Sequence, residues 1–470
     1  MDSSTLASPS ELQGVFQRQR AAFERHRLPS ADERRHWLQQ LRSLLLREET
    51  AIIDAISADF GNRSADETRL AELMPALHGI RYAHRRLRRW MKPERRSVGA
   101  AFQPARAHVI YQPLGVVGVM VPWNYPLFLT IGPLTAALAA GNRVMIKMSE
   151  HTPETSALMQ RLLSDVFPED LVTVVLGEAD VGAAFSRLPF DHLLFTGSTA
   201  VGRQVMHAAA DHLTPVTLEL GGKSPAIISA DAPLADAAKR IAMGKMLNAG
   251  QTCVAPDYVL VPADRQDAFV EALRQAVTTM YPRLAQNPDY TSIINERQLQ
   301  RLRDCLSDAR DQGARVIPFF DEADDRRVPF TVLLDVHDGM RIMREEIFGP
   351  YLPVIPCRDI DEAMQYVNAH PRPLALYYFG YDRREQEHVL QNTHSGGVCM
   401  NETVQHAALE DLPFGGVGPS GMGHYHGPEG FKTFSHAKAV LTRQRFNGSA
   451  LMYPPFGRRL HRVLYKFLLR

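Results

Sequence analysis

A chain of 470 residues exceeds what one hydrophobic core organises, so two or three compact units are expected. Apolar residues at 45%, charged ones at 22% and a formal net charge of +1 describe an ordinary globular protein, with no global reason to expect nucleic acid or an acidic polymer as partner. The four cysteines, Cys253, Cys305, Cys357 and Cys399, form no Cys-x-x-Cys pair and no zinc-like spacing with His, which points to a reducing compartment and a cytoplasmic protein rather than a disulfide framework.

The first residues, Met1 to Gln13, have neither a basic start nor an apolar core, so no secretory leader is expected. No uncharged apolar run reaches the roughly 18 residues that a spanning helix needs. Residues 9–94 are helical in pattern, with a capping box at Ser30-Ala-Asp-Glu33 and one buried face of Trp37, Leu38, Leu41, Leu44 and Leu45. The helix must stop near Pro93, and 95–112 then reads as a basic arm or hairpin that turns β-like at Ala107-His-Val-Ile-Tyr111.

From Leu114 the rhythm changes. Short β-rich runs (116–121, 143–148, 171–176, 192–195) alternate with helical segments (127–140, 153–166, 179–188, 199–210). That alternation predicts a parallel sheet covered by helices on both faces, with ligands beyond the carboxyl ends of its strands. A second set predicts another α/β unit: strands at 226–228, 258–262, 331–336, 351–355, 374–379 and 397–400, helices at 234–247, 265–280, 296–312 and 360–368. Residues 412–430 are dense in Gly and Pro. The tail from Arg458 carries Leu460, Val463, Leu464, Phe467 and Leu468 on one helical stripe among basic residues. It predicts a last helix packed on the protein or a partner subunit, with weak membrane-surface contact as the alternative.

Several loop-prone stretches carry chemistry. Phe195-Thr-Gly-Ser-Thr-Ala-Val-Gly202 is a strand end, a tight turn and a helix start whose free N–H groups suit a pyrophosphate, although a plain βα turn has the same pattern. It is not the usual dinucleotide fingerprint, because the best acid, Glu150, lies upstream. Lys147 and Glu150 suit ribose hydroxyls, or form an exposed pair at a strand end. Asn124, between Pro122 and Pro126, is held by stiff backbone and suits a developing oxyanion; otherwise it is a turn residue. Glu219, in Leu218-Glu-Leu-Gly-Gly-Lys223, is a candidate base. Cys253, in Gly250-Gln-Thr-Cys253, is a candidate nucleophile if nearby dipoles favour its thiolate; a lone cysteine is otherwise an inert buried residue.

These segments, with Glu345-Glu-Ile-Phe-Gly-Pro350 and Pro413-Phe-Gly-Gly-Val-Gly418, resemble the NAD(P)-dependent aldehyde dehydrogenase superfamily, in its order and over roughly residues 30 to 440. The stretch Pro413 to Gly427 and Thr433-Phe-Ser-His436 are similar to the class 3 branch, and more narrowly to bacterial coniferyl aldehyde dehydrogenases. Met148 departs from the Pro common in that branch.

The resemblance implies an α/β fold with a Rossmann-like cofactor domain (1–94 and 113–218), a catalytic domain (219–411), a small β oligomerisation domain (95–112 and 412–445) and a tail (446–470). It implies that Cys253 attacks an aldehyde, that Asn124 and the Cys253 N–H hold the oxyanion, and that Glu219 activates the hydrolytic water. Trp123, Lys147, Glu150, Gly197, Ser198, Gly202, Leu220, Glu346 and Phe348 match cofactor positions, and Tyr125 and Phe414 match the substrate funnel. NAD is the expected cofactor, with NADP as the alternative, no metal is expected, and a homodimer is implied. The expected substrate is coniferyl aldehyde or a related aromatic aldehyde; medium- or long-chain fatty aldehydes are the alternative. A CoA-acylating enzyme is disfavoured by Glu219, and a silent structural protein by the presence of Cys253, Asn124 and Glu219 together.

Overall fold

The computed structural model describes residues 8–99, 102–321, 326–445 and 448–469. Two capping boxes open the chain: Ser8 with Glu11 starts the helix Pro9–Arg25, and Ser30 with Glu33 starts Ala31–Arg47. Each box satisfies N–H groups that a helix start leaves bare. The predicted face of Leu38, Leu41, Leu44 and Leu45 is fully buried.

Among the described residues sixteen strands follow in chain order. They are β1 (Glu94–Arg96), β2 (Ala105–Pro113), β3 (Val116–Met120), β4 (Arg143–Lys147), β5 (Val172–Val175), β6 (His192–Gly197), β7 (Val216–Leu220) and β8 (Pro225–Ile228). The rest are β9 (Tyr258–Pro262), β10 (Arg315–Pro318), β11 (Thr331–Leu334), β12 (Tyr351–Cys357), β13 (Ala375–Phe379), β14 (Gly397–Met400), β15 (Gly421–Met422) and β16 (Ser435–Arg443). They form a six-stranded sheet β15-β7-β6-β3-β4-β5, a seven-stranded sheet β10-β11-β12-β9-β8-β13-β14 and a three-stranded sheet β1-β2-β16. Both large sheets are parallel except for one antiparallel edge strand each, β15 and β10.

In the six-stranded sheet the chain adds β4 and β5 on one side of β3, then crosses to add β6 and β7 on the other. The loops leaving β3 and β6 therefore diverge, and a crevice opens between their carboxyl ends.

Two expectations about unit boundaries are corrected. The chain leaves the first large sheet after Leu220, not after Leu218, because β7 runs through Glu219 in register with Thr196 of β6. The Gly-Gly that follows is what ends the strand. Gly421–Met422, expected with the oligomerisation segments, instead closes the first large sheet, Gly421 lying opposite Glu219. A side chain at Gly421 would fall 2.1 Å from the Leu218 carbonyl, so only glycine allows that approach. All nine residues of β16 run antiparallel along β2, the strand of the arm. The helix Arg383–Asn392 and β10 were not anticipated.

The tail forms the helix Arg459–Leu468. Leu460 and Val463 of its stripe are exposed and Leu464 is half-buried, while the side chains of Phe467 and Leu468 lie outside the described residues. No helix among the described residues is long and apolar enough to cross a membrane.

Asn142 ties three elements. Its Oδ1 accepts from the Gly115 N–H at 3.0 Å, and its Nδ2 donates to the carbonyls of Ala137 at 3.2 Å and Phe434 at 2.8 Å. Asn142→Ala strands the buried Gly115 N–H and Phe434 carbonyl and is expected to cost about 2–3 kcal/mol, read as a lower guanidinium midpoint; an unchanged midpoint contradicts it.

Candidate active site

At the crevice between the β3 and β6 loops, a cleft of about 310 Å³ brings together Trp123, Asn124, Gly197, Ser198, Glu219, Leu220, Cys253, Glu346 and Phe348. Trp123 and Phe348 meet edge to face, with ring centroids 5.2 Å apart, and form a rigid aromatic wall. Ser198 caps the helix Thr199–Ala210, its hydroxyl accepting from the Val201 N–H, so Gly197 and Ser198 present a helix start to the cleft. A side chain at Gly221 would fall 1.9 Å from Glu346 Oε2, so bare backbone is required beside that carboxyl.

The remaining candidates sit elsewhere. Gly202 lies within its helix, where a Cβ would meet Leu220 at 2.7 Å; its lack of a side chain serves helix–strand packing. Lys147 is buried at the end of β4, its ammonium donating to the Met148 carbonyl at 2.7 Å and lying 3.7 Å from Glu150. The pair is therefore not the exposed one that the sequence allowed. Tyr125 is buried, its phenol 2.7 Å from the Thr252 hydroxyl. Phe414 stacks on His426 at 5.1 Å. His406 is buried between Tyr377 and Phe414. Cys305 and Cys357 are buried and Cys399 half-buried.

Backbone strain delivers Cys253. Asn248, Ala249 and Gly250 have φ of 53°, 51° and 76°, and the two non-glycine residues each cost about 1–2 kcal/mol in that left-handed region. Side chains hold them there. Asn248 Nδ2 donates to the carbonyls of Asn124 at 2.9 Å and Gln251 at 3.1 Å. Gln251 donates to the Ser292 carbonyl and accepts from the Ile294 N–H. A side chain at Gly250 would fall 2.3 Å from the Gly349 carbonyl. Asn124 spends one amide N–H on the Gln251 carbonyl at 3.1 Å, which fixes the amide plane and leaves its second donor for the cleft.

Burial dominates the electrostatics of the site. Burial, with the charges of Glu346 and Glu219 adding to it, pushes the Cys253 thiol up to about 12. Burial holds Glu219 well above the ordinary carboxyl range, and neither of its oxygens has a hydrogen-bond partner. Burial and the nearby Asp257 take Glu346 up to about 8, against the opposing pull of the Gly222 N–H, Arg301 and Lys223. The protons of Cys253 and Glu346 are therefore in place at neutral pH, and burial favours the neutral form of Glu219.

Sequence reasoning missed Thr196, Gln298 and Arg301, which also line the cleft. Arg301 donates to the carbonyls of Glu346 at 3.3 Å and Ile347 at 2.6 Å and so fixes the loop that carries Glu346 and Phe348. It and Gln298 lie on the amphipathic helix Glu296–Asp311, whose pattern gives no sign of a site. Tyr425 was missed too; burial, then the charges of Glu219 and Cys253, raise its phenol.

The family model described as "Aldehyde dehydrogenase family" matches residues 2–440. The chain belongs to the aldehyde dehydrogenase family. It is 63% identical to a "Probable coniferyl aldehyde dehydrogenase" of Pseudomonas aeruginosa, over 98% of this chain and 97% of that one. It is 38% identical to the canine "Aldehyde dehydrogenase, dimeric NADP-preferring", over 95% and 98% of the two chains. Among solved structures it superposes on the Mycobacterium tuberculosis aldehyde dehydrogenase complexed with NAD+ with a TM-score of 0.86, at 30% identity over 94% and 92% of the two chains. The three-sheet α/β architecture described above is the aldehyde dehydrogenase fold, and the chain is an aldehyde-oxidising enzyme.

With its thiol held at about 12, Cys253 is expected to alkylate with iodoacetamide at a rate that still rises about tenfold per pH unit beyond pH 9. Glu346→Gln removes a charge that opposes the thiolate and is expected to speed alkylation. The gain should grow above pH 8, where Glu346 ionises in the unmodified enzyme. A rate plateau below pH 9 contradicts the assignment.

Proposed function

We propose that the enzyme oxidises a hydroxycinnamaldehyde such as coniferyl aldehyde to its carboxylic acid, with NAD as hydride acceptor, through a thioester on Cys253. The observation that carries the reading is one cleft shared by a half-buried thiol, an unpartnered buried carboxyl and an amide with a spare donor. The Cys253 thiol gives up its proton to solvent water as its sulfur attacks the aldehyde carbon and the carbonyl π bond opens onto oxygen. Asn124 Nδ2 and the Cys253 N–H steady the resulting alkoxide. When bound, NAD would supply the acceptor for the hydride of the thiohemiacetal carbon, leaving the thioester on Cys253. Glu219, once ionised, removes a proton from water, hydroxide adds to the thioester carbon, and the C–S bond breaks to release the acid. The absence of hydrogen-bond partners leaves the Glu219 carboxyl unclamped and able to take up that water.

The cleft suits the cofactor chemically. Gly197 and Ser198 at a helix start match the pyrophosphate, Glu346 and Phe348 the nicotinamide ribose and ring, and Trp123 and Leu220 the flanking surface. Lys147 and Glu150 match the adenosine ribose, where the Glu150 carboxylate opposes a 2′-phosphate and favours NAD over NADP. The aromatic substrate is supported by the name of the Pseudomonas relative and by the buried rings of Phe414 and Tyr425, whose centroids lie 6.4 Å apart. Fatty aldehydes are the competing class. We assign the chain to the cytoplasm on its free thiols. A homodimer is supported by β16, a nine-residue edge strand whose outer edge is unpaired in this chain. Exposed Leu460 and Val463 on the basic tail support weak contact with an anionic membrane surface.

Cys253→Ala is expected to abolish NAD reduction with coniferyl aldehyde, while Glu219→Gln is expected to keep a burst of NADH and slow turnover about 10²-fold or more. Full turnover by the alanine variant, or an unchanged steady state in the glutamine variant, contradicts the respective role. A kcat/KM panel over hydroxycinnamaldehydes and fatty aldehydes decides the substrate; a fatty aldehyde ahead of coniferyl aldehyde overturns the choice made here.

A further inference from the structure

Arg63 follows the helix Glu49–Phe60, and none of its side chain is exposed. Its Nε donates to Glu67 at 3.2 Å, and its Nη1 donates to Glu72 at 2.9 Å and to the Asn124 carbonyl at 3.2 Å. Its guanidinium lies over the rings of Phe60 at 5.2 Å and Tyr125 at 4.8 Å. The two carboxylates reach onward. Glu72 Oε2 accepts from the N–H groups of Leu127 at 2.8 Å and Phe128 at 3.0 Å, so the loop from Asn124 to Phe128 is gripped at both ends. Glu67 Oε1 accepts from the Asn248 N–H at 3.0 Å and the Thr291 hydroxyl at 3.2 Å. Asn248 is the first residue of the left-handed stretch before Cys253, and its amide returns to the same Asn124 carbonyl.

One buried cation therefore links the loop that carries Asn124 to the loop that carries Cys253. Glu72 sits in the single π-helical turn of this region, Arg69–Leu73, the kind of local departure from α-geometry that redirects a side chain. Only a guanidinium supplies a planar fork of donors wide enough for two carboxylates and a carbonyl; an ammonium is a point charge.

We propose that Arg63 is a positioning residue for catalysis: through Glu67, Glu72 and the Asn124 carbonyl it sets the distance and orientation between the Asn124 amide and the Cys253 thiol. The inference rests on the reading of Asn124 as oxyanion donor made above. It assigns to this ion cluster a role in kcat, beyond its contribution to folding.

The test is a double-mutant cycle. Arg63→Met alone leaves two buried carboxylates without a cation and risks misfolding, so it is made with Glu67→Gln and Glu72→Gln, which removes all three charges at nearly constant volume. Arg63→Lys, which keeps the charge and loses the fork, carries the same cycle if the triple variant does not fold. For folded protein, with the folded fraction set by thermal unfolding, kcat is expected to fall about 10²-fold while the Kd for NAD stays within twofold. Asn124→Ala is expected to cost a similar factor, and the combined variant no more than the larger single loss, because the cluster acts through that amide. Losses that multiply in the combined variant, or full kcat in the folded cluster variants beside an impaired Asn124→Ala, overturn this inference alone. Undiminished turnover of Asn124→Ala removes the oxyanion reading and this inference with it.

Discussion

Three acidic groups meet at one cleft, and their burial outweighs the pull of the cations around it. Cys253, Glu219 and Glu346 share that cleft, and burial lifts the proton affinity of each. The guanidinium of Arg301, on the cleft wall, donates to the Gln298 side chain and to the backbone of Glu346 and Ile347 rather than to a carboxylate. A resting thiol with its proton in place is a weak nucleophile and resists stray oxidation. The low-dielectric surroundings that suppress it also strengthen any donor aimed at a developing oxyanion.

Such a site works only if its donors cannot drift, and the fold answers this by bringing two independent loops into contact. The Asn124 loop leaves the centre of the six-stranded sheet, and the Cys253 loop belongs to the seven-stranded one. Neither sheet alone fixes their separation. Polar side chains do: Asn248 and Gln251 from one loop, the Asn124 amide and carbonyl from the other, and the Arg63 cluster beneath both. Consecutive left-handed residues before Cys253 persist because this network over-determines them. Glycines act where backbone itself comes close, as at Gly250 against Gly349 and Gly421 against Leu218.

Much of this was legible in the sequence, and for identifiable reasons. The alternation of β-rich and helical runs predicted both large sheets because a parallel sheet buries its strands on both faces and leaves them as short apolar runs. Asn124, Glu219 and Cys253 stood out as candidates because each sits near Gly or Pro in a loop-forming context, while Trp123, Leu220, Glu346 and Phe348 came from the resemblance to a known family. The misses share a cause. Gln298 and Arg301 sit on a helix whose periodic pattern is complete without them, and Arg63, Glu67 and Glu72 look like ordinary charges on helical segments. The unit boundary slipped because Glu219 belongs by motif to the catalytic loop and by pairing to the cofactor sheet.

By itself the sequence determined the succession of elements, which follows from local composition and short-range spacing, and its resemblance to a known family named the candidate reacting groups. Tertiary structure decided which charges are buried together, which way the Asn124 amide is held, and that His406 is enclosed while Glu219 has no partner. Those properties depend on residues far apart in the chain and on the exclusion of water between them, and no local pattern of amino acids encodes a dielectric.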